Sequence, residues 1–80
     1  MESFQTFGQM LGYLRERERL SQRELARAVG YSDAQISRLE KGQRTPDPTV
    51  VAARFVQALH LEGEPELAAR LVAYALADAT

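Results

Sequence analysis

The chain has 80 residues, which leaves room for one domain with a small core. It contains no cysteine and one histidine, which excludes disulfides and the usual zinc sites, and no segment approaches the roughly 20 apolar residues that cross a bilayer. Because the N-terminus also lacks a secretory signal pattern, we expect a cytoplasmic protein, one domain over residues 1–80, with no metal or other cofactor and no membrane contact.

The formal net charge of −1 is the sum of two halves of opposite sign. From Tyr13 to Arg44 there are eight basic and five acidic residues, a balance of +3; from Thr45 to Thr80 there are two basic and five acidic residues, a balance of −3. Glu2 supplies the remaining charge. A basic half is what a phosphate-binding face requires, although ordinary solvated helices would also account for it.

Apolar residues recur at helical spacing along the whole chain, and no run alternates as a strand does. The sequence therefore predicts an all-α fold, a compact five-helix bundle that contains a helix-turn-helix. The expected helices, numbered 1 to 5 in chain order, cover residues 7–19, 22–29, 33–41, 48–60 and 65–79.

Two capping boxes mark the starts of helices 2 and 3. Ser21 is followed three residues later by Glu24, and Ser32 by Gln35, so that each pair can satisfy two of the free N–H groups at a helix start. Gly30 follows helix 2, where a residue that tolerates positive φ ends a helix well. Two short capped helices joined by a glycine turn predict a helix-turn-helix.

The core motif of this helix-turn-helix spans residues 22–41. A small side chain is needed where the two helices touch, and Ala26 provides it, while Gly30 provides the turn. Ile36 and Leu39 are the apolar residues that anchor helix 3 to the rest of the bundle.

The motif closely resembles the phage repressor and Cro-like (XRE-type) helix-turn-helix family. The resemblance covers about residues 7–61 and rests on the runs LSQRELA (20–26), VGYS (29–32), ISRLEKG (36–42) and RTP (44–46). It implies a repressor-like bundle that binds double-stranded operator DNA, usually as a dimer. The chain also resembles the N-terminal module of some larger bacterial regulators, at Phe7, Leu14, Arg15, Leu61 and Glu66.

Burying one side of helix 3 turns its other side outward, and in the docking geometry of this motif the start of that helix meets base edges in the major groove. The candidate base contacts are Asp33, Ala34, Ser37 and Arg38. Arg38 can bind guanine O6 and N7 together. Asp33 can accept a hydrogen bond from cytosine or serve only to stabilise the helix N-terminus, and both interpretations stay open.

The resemblance also implies phosphate contacts before and after helix 3. The candidates are Gln22, Ser32, Gln35, Lys41, Gln43 and Arg44. Helix N-termini hold anions well, which favours Gln22 at the start of helix 2. For Gln35 the alternative role is the capping box, and for Lys41 and Arg44 it is surface solubility.

Arg15 and Glu40 are expected to form a partly buried ion pair, because family members place such a pair where helix 1 meets the end of helix 3. Tyr31, at the turn, is interpreted as a partly exposed packing residue rather than a stacking platform. His60 is given no functional role.

Helix 5 has a surplus of apolar side chains, which predicts either a homodimer or docking of an additional domain. The residues expected at that surface are Leu67, Leu71, Val72 and Leu76. The alternative is that packing within the bundle covers them all.

The sequence has no histidine–carboxylate cluster, glycine-rich phosphate loop or metal-ligand spacing, so an enzyme and catalytic residues are not expected. It predicts sequence-specific binding of double-stranded DNA by a transcriptional regulator, with residues 33–41 as the recognition helix. The alternative is a protein-interaction module with this fold and little DNA affinity, which the acidic net charge and Asp33 would favour.

Overall fold

The computed structural model describes residues 4–79, with side chains as far as residue 78; Met1 to Ser3 and Thr80, which belong to the expected domain, lie outside the described residues. Five helices and no strand are found between residues 4 and 79, which confirms the all-α prediction. They are α1 (Phe7–Arg17), α2 (Gln22–Val29), α3 (Asp33–Glu40), α4 (48–58) and α5 (Pro65–Ala79).

Both predicted capping boxes are present. Ser21 Oγ accepts from Glu24 N at 3.0 Å while Glu24 Oε1 accepts from Ser21 N at 2.8 Å. Ser32 and Gln35 form the same reciprocal pair at 3.1 and 2.8 Å. Gly30 ends α2 with φ +80°, so its predicted left-handed conformation is also confirmed.

Helices 1 and 4 are each two residues shorter than expected. α1 ends at Arg17 because Arg19 has φ +58°, and α4 ends at Ala58 because His60 has the same φ. A left-handed residue cannot continue a right-handed helix. Neither residue is a glycine, the residue type that usually indicates such a helix end, so the sequence did not predict where these two helices stop.

The third helix ends one residue early, at Glu40, and Lys41 forms its cap. Gly42 follows with φ +74°, and Gln43 N donates to the Arg38 carbonyl at 2.8 Å, which closes the turn. α4 is also irregular: its middle turn, Val51–Phe55, is π-helical, and the periodicity gave no sign of it.

All five helices contribute to one hydrophobic core. Its buried members are Phe7, Met10, Leu11, Leu14, Leu25, Ala26, Val29, Ile36, Leu39, Val51, Phe55, Leu59, Leu61, Leu71 and Ala75. No polar or charged residue is fully buried in the part of the chain that the structure describes. Packing of apolar surface is therefore the main stabilising interaction.

Helices α1 and α3 approach closely at Gly8. A Cβ built on Gly8 would clash with the Glu40 carbonyl oxygen and lie 2.5 Å from that of Leu39. The absence of a side chain at this position lets the end of α3 rest directly on the start of α1. This contact also brings Arg15, two turns further along α1, beside the Glu40 side chain.

The surface predicted on helix 5 needs one correction. Leu71 is fully buried in the core and cannot contact a partner. Leu67 and Val72 are half-buried, and Leu76 is 55% exposed. None of the helices described is both long and apolar enough to cross a membrane.

Candidate nucleic-acid interface

The outer side of α3 is polar and faces solvent. Ile36 and Leu39 are buried, as predicted, which fixes the rotation of the helix about its axis. Of the candidate base contacts, Asp33, Ala34 and Arg38 are exposed and Ser37 is half-buried.

The first turn of α3 uses its polar groups to stabilise the helix start. Asp33 Oδ1 accepts from the N–H of Ala34 at 2.9 Å, which supports the interpretation of Asp33 as a helix-stabilising residue. Ser32 and Gln35 are engaged in the capping box. Their oxygens act there as acceptors, which leaves the Ser32 hydroxyl proton and the Gln35 amide protons as donors.

Arg15 and Glu40 form the predicted ion pair. Arg15 Nε donates to Glu40 Oε2 at 2.6 Å and Nη2 to Oε1 at 3.1 Å, and the two side chains are only 14% and 13% exposed. Arg15 Nη1 also donates to the Leu20 carbonyl at 2.8 Å. The hydrogen bond with Glu40 is the main reason that the pKa of Arg15 is raised.

Gln22 joins this ion pair from the start of α2. Its Nε2 donates to Glu40 Oε1 at 3.1 Å, and the residue is half-buried. An amide nitrogen carries two protons, so one remains for another acceptor. The side chain predicted to contact phosphate is thus oriented by the carboxylate that pairs with Arg15.

The loop after α3 carries three exposed candidates, Lys41, Gln43 and Arg44. The Arg44 guanidinium carbon lies 5.4 Å from the centroid of the Tyr31 ring. Tyr31 is half-buried and packs edge-to-face on Phe55 at 5.7 Å. Its packing role is as predicted, but it also makes a cation–π contact with an arginine, which the sequence did not indicate.

Arg54 is a further basic residue near the turn, and the sequence did not single it out. Its Nη1 donates to the Val29 carbonyl at 3.2 Å, which satisfies a free acceptor at the end of α2. The two residues are 25 positions apart, and only the packing of α4 beside α2 brings them together.

A separate polar network lies at the end of α1. Arg17 binds both Glu64 oxygens, at 3.0 and 2.8 Å, and Glu18 at 3.0 Å. His60 Nδ1 lies 2.9 Å from Glu18 Oε1. The hydrogen bond from His60 and then that from Arg17 hold the pKa of Glu18 below its ordinary value. This network involves none of the predicted DNA contacts.

Around α3, three cations take part in no ion pair formed within residues 4–79: Arg38, Lys41 and Arg44. They are exposed on α3 and on the loop that follows it. Unpaired cations are suited to bind phosphate or base acceptors.

Within residues 4–79, no three histidine, aspartate or glutamate side chains are arranged to hold a metal ion.

Comparison with known families supports the helix-turn-helix interpretation of this chain. A family model described as a helix-turn-helix domain matches residues 6–71, a range that includes α1 to α4 and the first half of α5. Searches of curated proteins and of solved structures each found no match. Since the family model covers most of the 80 residues, the chain belongs to this helix-turn-helix domain family, within the repressor and Cro-like class that its motif resembles.

Proposed function

We propose that this chain is a single domain, residues 1–80, that binds double-stranded DNA sequence-specifically as a transcriptional regulator and catalyses no reaction. α3 enters the major groove with its N-terminal residues toward the base edges. The observation that carries the proposal is the division of α3 into a buried side and an exposed polar side that bears the unpaired Arg38, with the unpaired Lys41 and Arg44 directly after the helix.

Base recognition is assigned to the exposed side of α3. Arg38 reads guanine through a pair of hydrogen bonds, Ser37 bonds a base or phosphate, and Ala34 packs against a thymine methyl group. Asp33 accepts from cytosine N4 with the carboxylate oxygen that is not bonded to Ala34.

Phosphate binding is assigned to the groups on either side of these base contacts. Lys41 and Arg44 supply charge, and they account for much of the salt dependence. The neutral donors are Gln22, Ser32, Gln35 and Gln43. Gln22 presents its second amide proton to a phosphate at the start of α2, where the helix dipole also attracts an anion.

Occupancy of DNA is the proposed mechanism of regulation. Two copies on half-sites about 34–36 Å apart, or one copy tethered to a further domain, would repress or recruit by position. The exposed Leu76, with the half-buried Leu67 and Val72, forms the surface proposed for this association. The place of action is the cytoplasm, on the nucleoid.

The test is an NMR titration with random-sequence duplex DNA at low and moderate salt. We expect backbone amide shifts at residues 22, 32–38 and 41–44, and we expect them to diminish as salt is raised because counterion release drives the binding. Arg38→Ala should weaken binding, whereas Arg70→Ala should not. Arg70 is the matched control, since its guanidinium lies over Phe4, on the α5 side of the molecule.

The alternative is a protein-interaction module with the same fold. The acidic total charge and the carboxylate of Asp33 at the start of α3 favour it. If no amide shifts even at low salt, the DNA-binding proposal is rejected, and α5 becomes the surface on which to seek a protein partner.

A further inference from the structure

Arg44 follows α3 in the chain but lies beside the turn that precedes α3. Tyr31 directly precedes the N-cap of α3 and Arg44 lies four residues after its last residue, yet the guanidinium and the ring are in contact. The loop after α3 therefore folds back toward the turn before it. From this contact we infer that Tyr31 is a positioning residue that holds the Arg44 guanidinium ready for a DNA phosphate.

The ring itself is firmly placed. Tyr31 N donates to the Ala26 carbonyl at 2.8 Å, which ties the residue to the end of α2. The ring packs at 77° against Phe55, which is 1% exposed and belongs to the core. Because both its backbone and its ring are anchored, Tyr31 is a fixed surface against which a flexible side chain can be ordered.

The cation–π contact leaves the guanidinium available for DNA. The guanidinium carries five N–H donors, and a cation–π contact with a ring pairs none of them with a hydrogen-bond acceptor. Arg44 is exposed and forms no ion pair within residues 4–79. The stack thus restricts the long side chain before binding without occupying its donors, which lowers the entropic cost of the phosphate contact.

This inference rests on the proposed DNA-binding function and adds to it a residue that contacts no DNA. The expected effect of the Tyr31 ring on DNA affinity follows from the strength of an exposed cation–π contact, which corresponds to about a two- to fivefold change. Removing the ring keeps the charge of Arg44, so the slope of log Kd against log salt should hardly change. Removing Arg44 should reduce that slope by about 1.

The experiment is a double-mutant cycle measured by fluorescence anisotropy on a random-sequence duplex over a range of salt. Tyr31→Leu should weaken binding about two- to fivefold, and Tyr31→Phe, which keeps the ring, should change it by less than about twofold. In an Arg44→Ala background, Tyr31→Leu should have no further effect. An equal loss in both backgrounds, or no loss from Tyr31→Leu, would overturn the inference.

NMR of the free protein tests the stack without DNA. The side-chain protons of Arg44 should be shifted upfield by the ring, and the shift should persist in Tyr31→Phe and disappear in Tyr31→Leu. Arg44 protons at random-coil positions in the wild type would overturn the stack itself. If the Arg44 protons are shifted upfield but the protein binds no DNA, the proposed function is rejected, and the role of Tyr31 in DNA binding is rejected as well.

Discussion

Glu40 connects three helices through its carboxylate. It accepts from Arg15 on α1 and from Gln22 on α2, and it lies at the end of α3. A carboxylate that is only 13% exposed depends on such partners, because burial without them is costly. The same group therefore stabilises the bundle and orients a proposed phosphate contact.

We predict that Arg15→Ala lowers the free energy of unfolding by about 2 kcal/mol, because it leaves Glu40 in a half-buried position with one hydrogen bond from Gln22. The matched control is Arg17→Ala. Its pair with Glu64 is also bidentate, but the side chains are 27% and 41% exposed, and we expect a loss of less than about 1 kcal/mol. Urea denaturation of both variants measures the two losses in the free energy of unfolding. Equal losses would contradict the prediction that the Arg15–Glu40 pair stabilises the fold more than the Arg17–Glu64 pair does.

Among the helices, the two short ones of the motif were the easiest to predict. Serine caps, their reciprocal partners three residues later and a glycine stop are local signals, and they gave the bounds of α2 correctly. The ends of α1 and α4 were misplaced because Arg19 and His60, which are not glycines, adopt positive φ. Contacts between residues far apart in the chain, such as the hydrogen bond from Arg54 to the Val29 carbonyl, leave no local pattern in the sequence.

The contact of α1 with α3 gives a prediction about glycine. Gly8→Ala should lower the free energy of unfolding by about 1–3 kcal/mol, because the new methyl group would meet the backbone carbonyls of Leu39 and Glu40, which cannot move aside easily. Gly12→Ala is the control one turn further along α1. Its methyl group would lie 3.6 Å from Glu40 Oε1, an ordinary contact, and the better helix propensity of alanine should stabilise the protein by up to about 1 kcal/mol. Thermal melting compares the two, and a Gly8→Ala protein as stable as the wild type would refute the tight crossing.

The first capping box predicts a pH dependence of stability. The backbone N–H and then the hydroxyl of Ser21 hold the pKa of Glu24 below its ordinary value of 4.5. A carboxyl whose pKa is lowered by folding contributes stability above its unfolded pKa and loses it as the pH falls through the native value. Between pH 6 and pH 3 the urea midpoint should therefore fall further in the wild type than in Glu24→Gln.

The second capping box provides the control for this measurement, because Gln35 takes the same position without a charge. Gln35→Ala should lower stability at every pH and leave the difference between pH 6 and pH 3 as it is in the wild type. A pH difference in Glu24→Gln as large as that of the wild type would show that other carboxyls account for the acid sensitivity.

The two halves of the charge pattern become different parts of the folded structure. The basic half forms α1 to α3 and the loop with Arg44, while the acidic half forms α4 and α5. The sequence predicted this division and the polar side of α3, because both follow from composition and helical period. It could not predict that Gln22, Arg15 and Glu40 form one network, since that depends on how three helices meet.

The proposed association through α5 can be separated from the binding of one copy to DNA. Leu76→Glu places a charge on the most exposed large apolar residue of the described chain, and it should leave binding to a selected single half-site within about twofold of the wild type. On a duplex with two half-sites, the same variant should lose about tenfold or more in affinity, because the second copy no longer benefits from a high effective concentration.

Gln57→Glu is the control: it adds the same charge at an exposed position of α4 and should bind both duplexes as the wild type does, apart from a small electrostatic change. If Leu76→Glu and the wild type bind the double site with equal affinity, the two copies do not meet through this surface, and an additional domain becomes the better explanation of the exposed leucine.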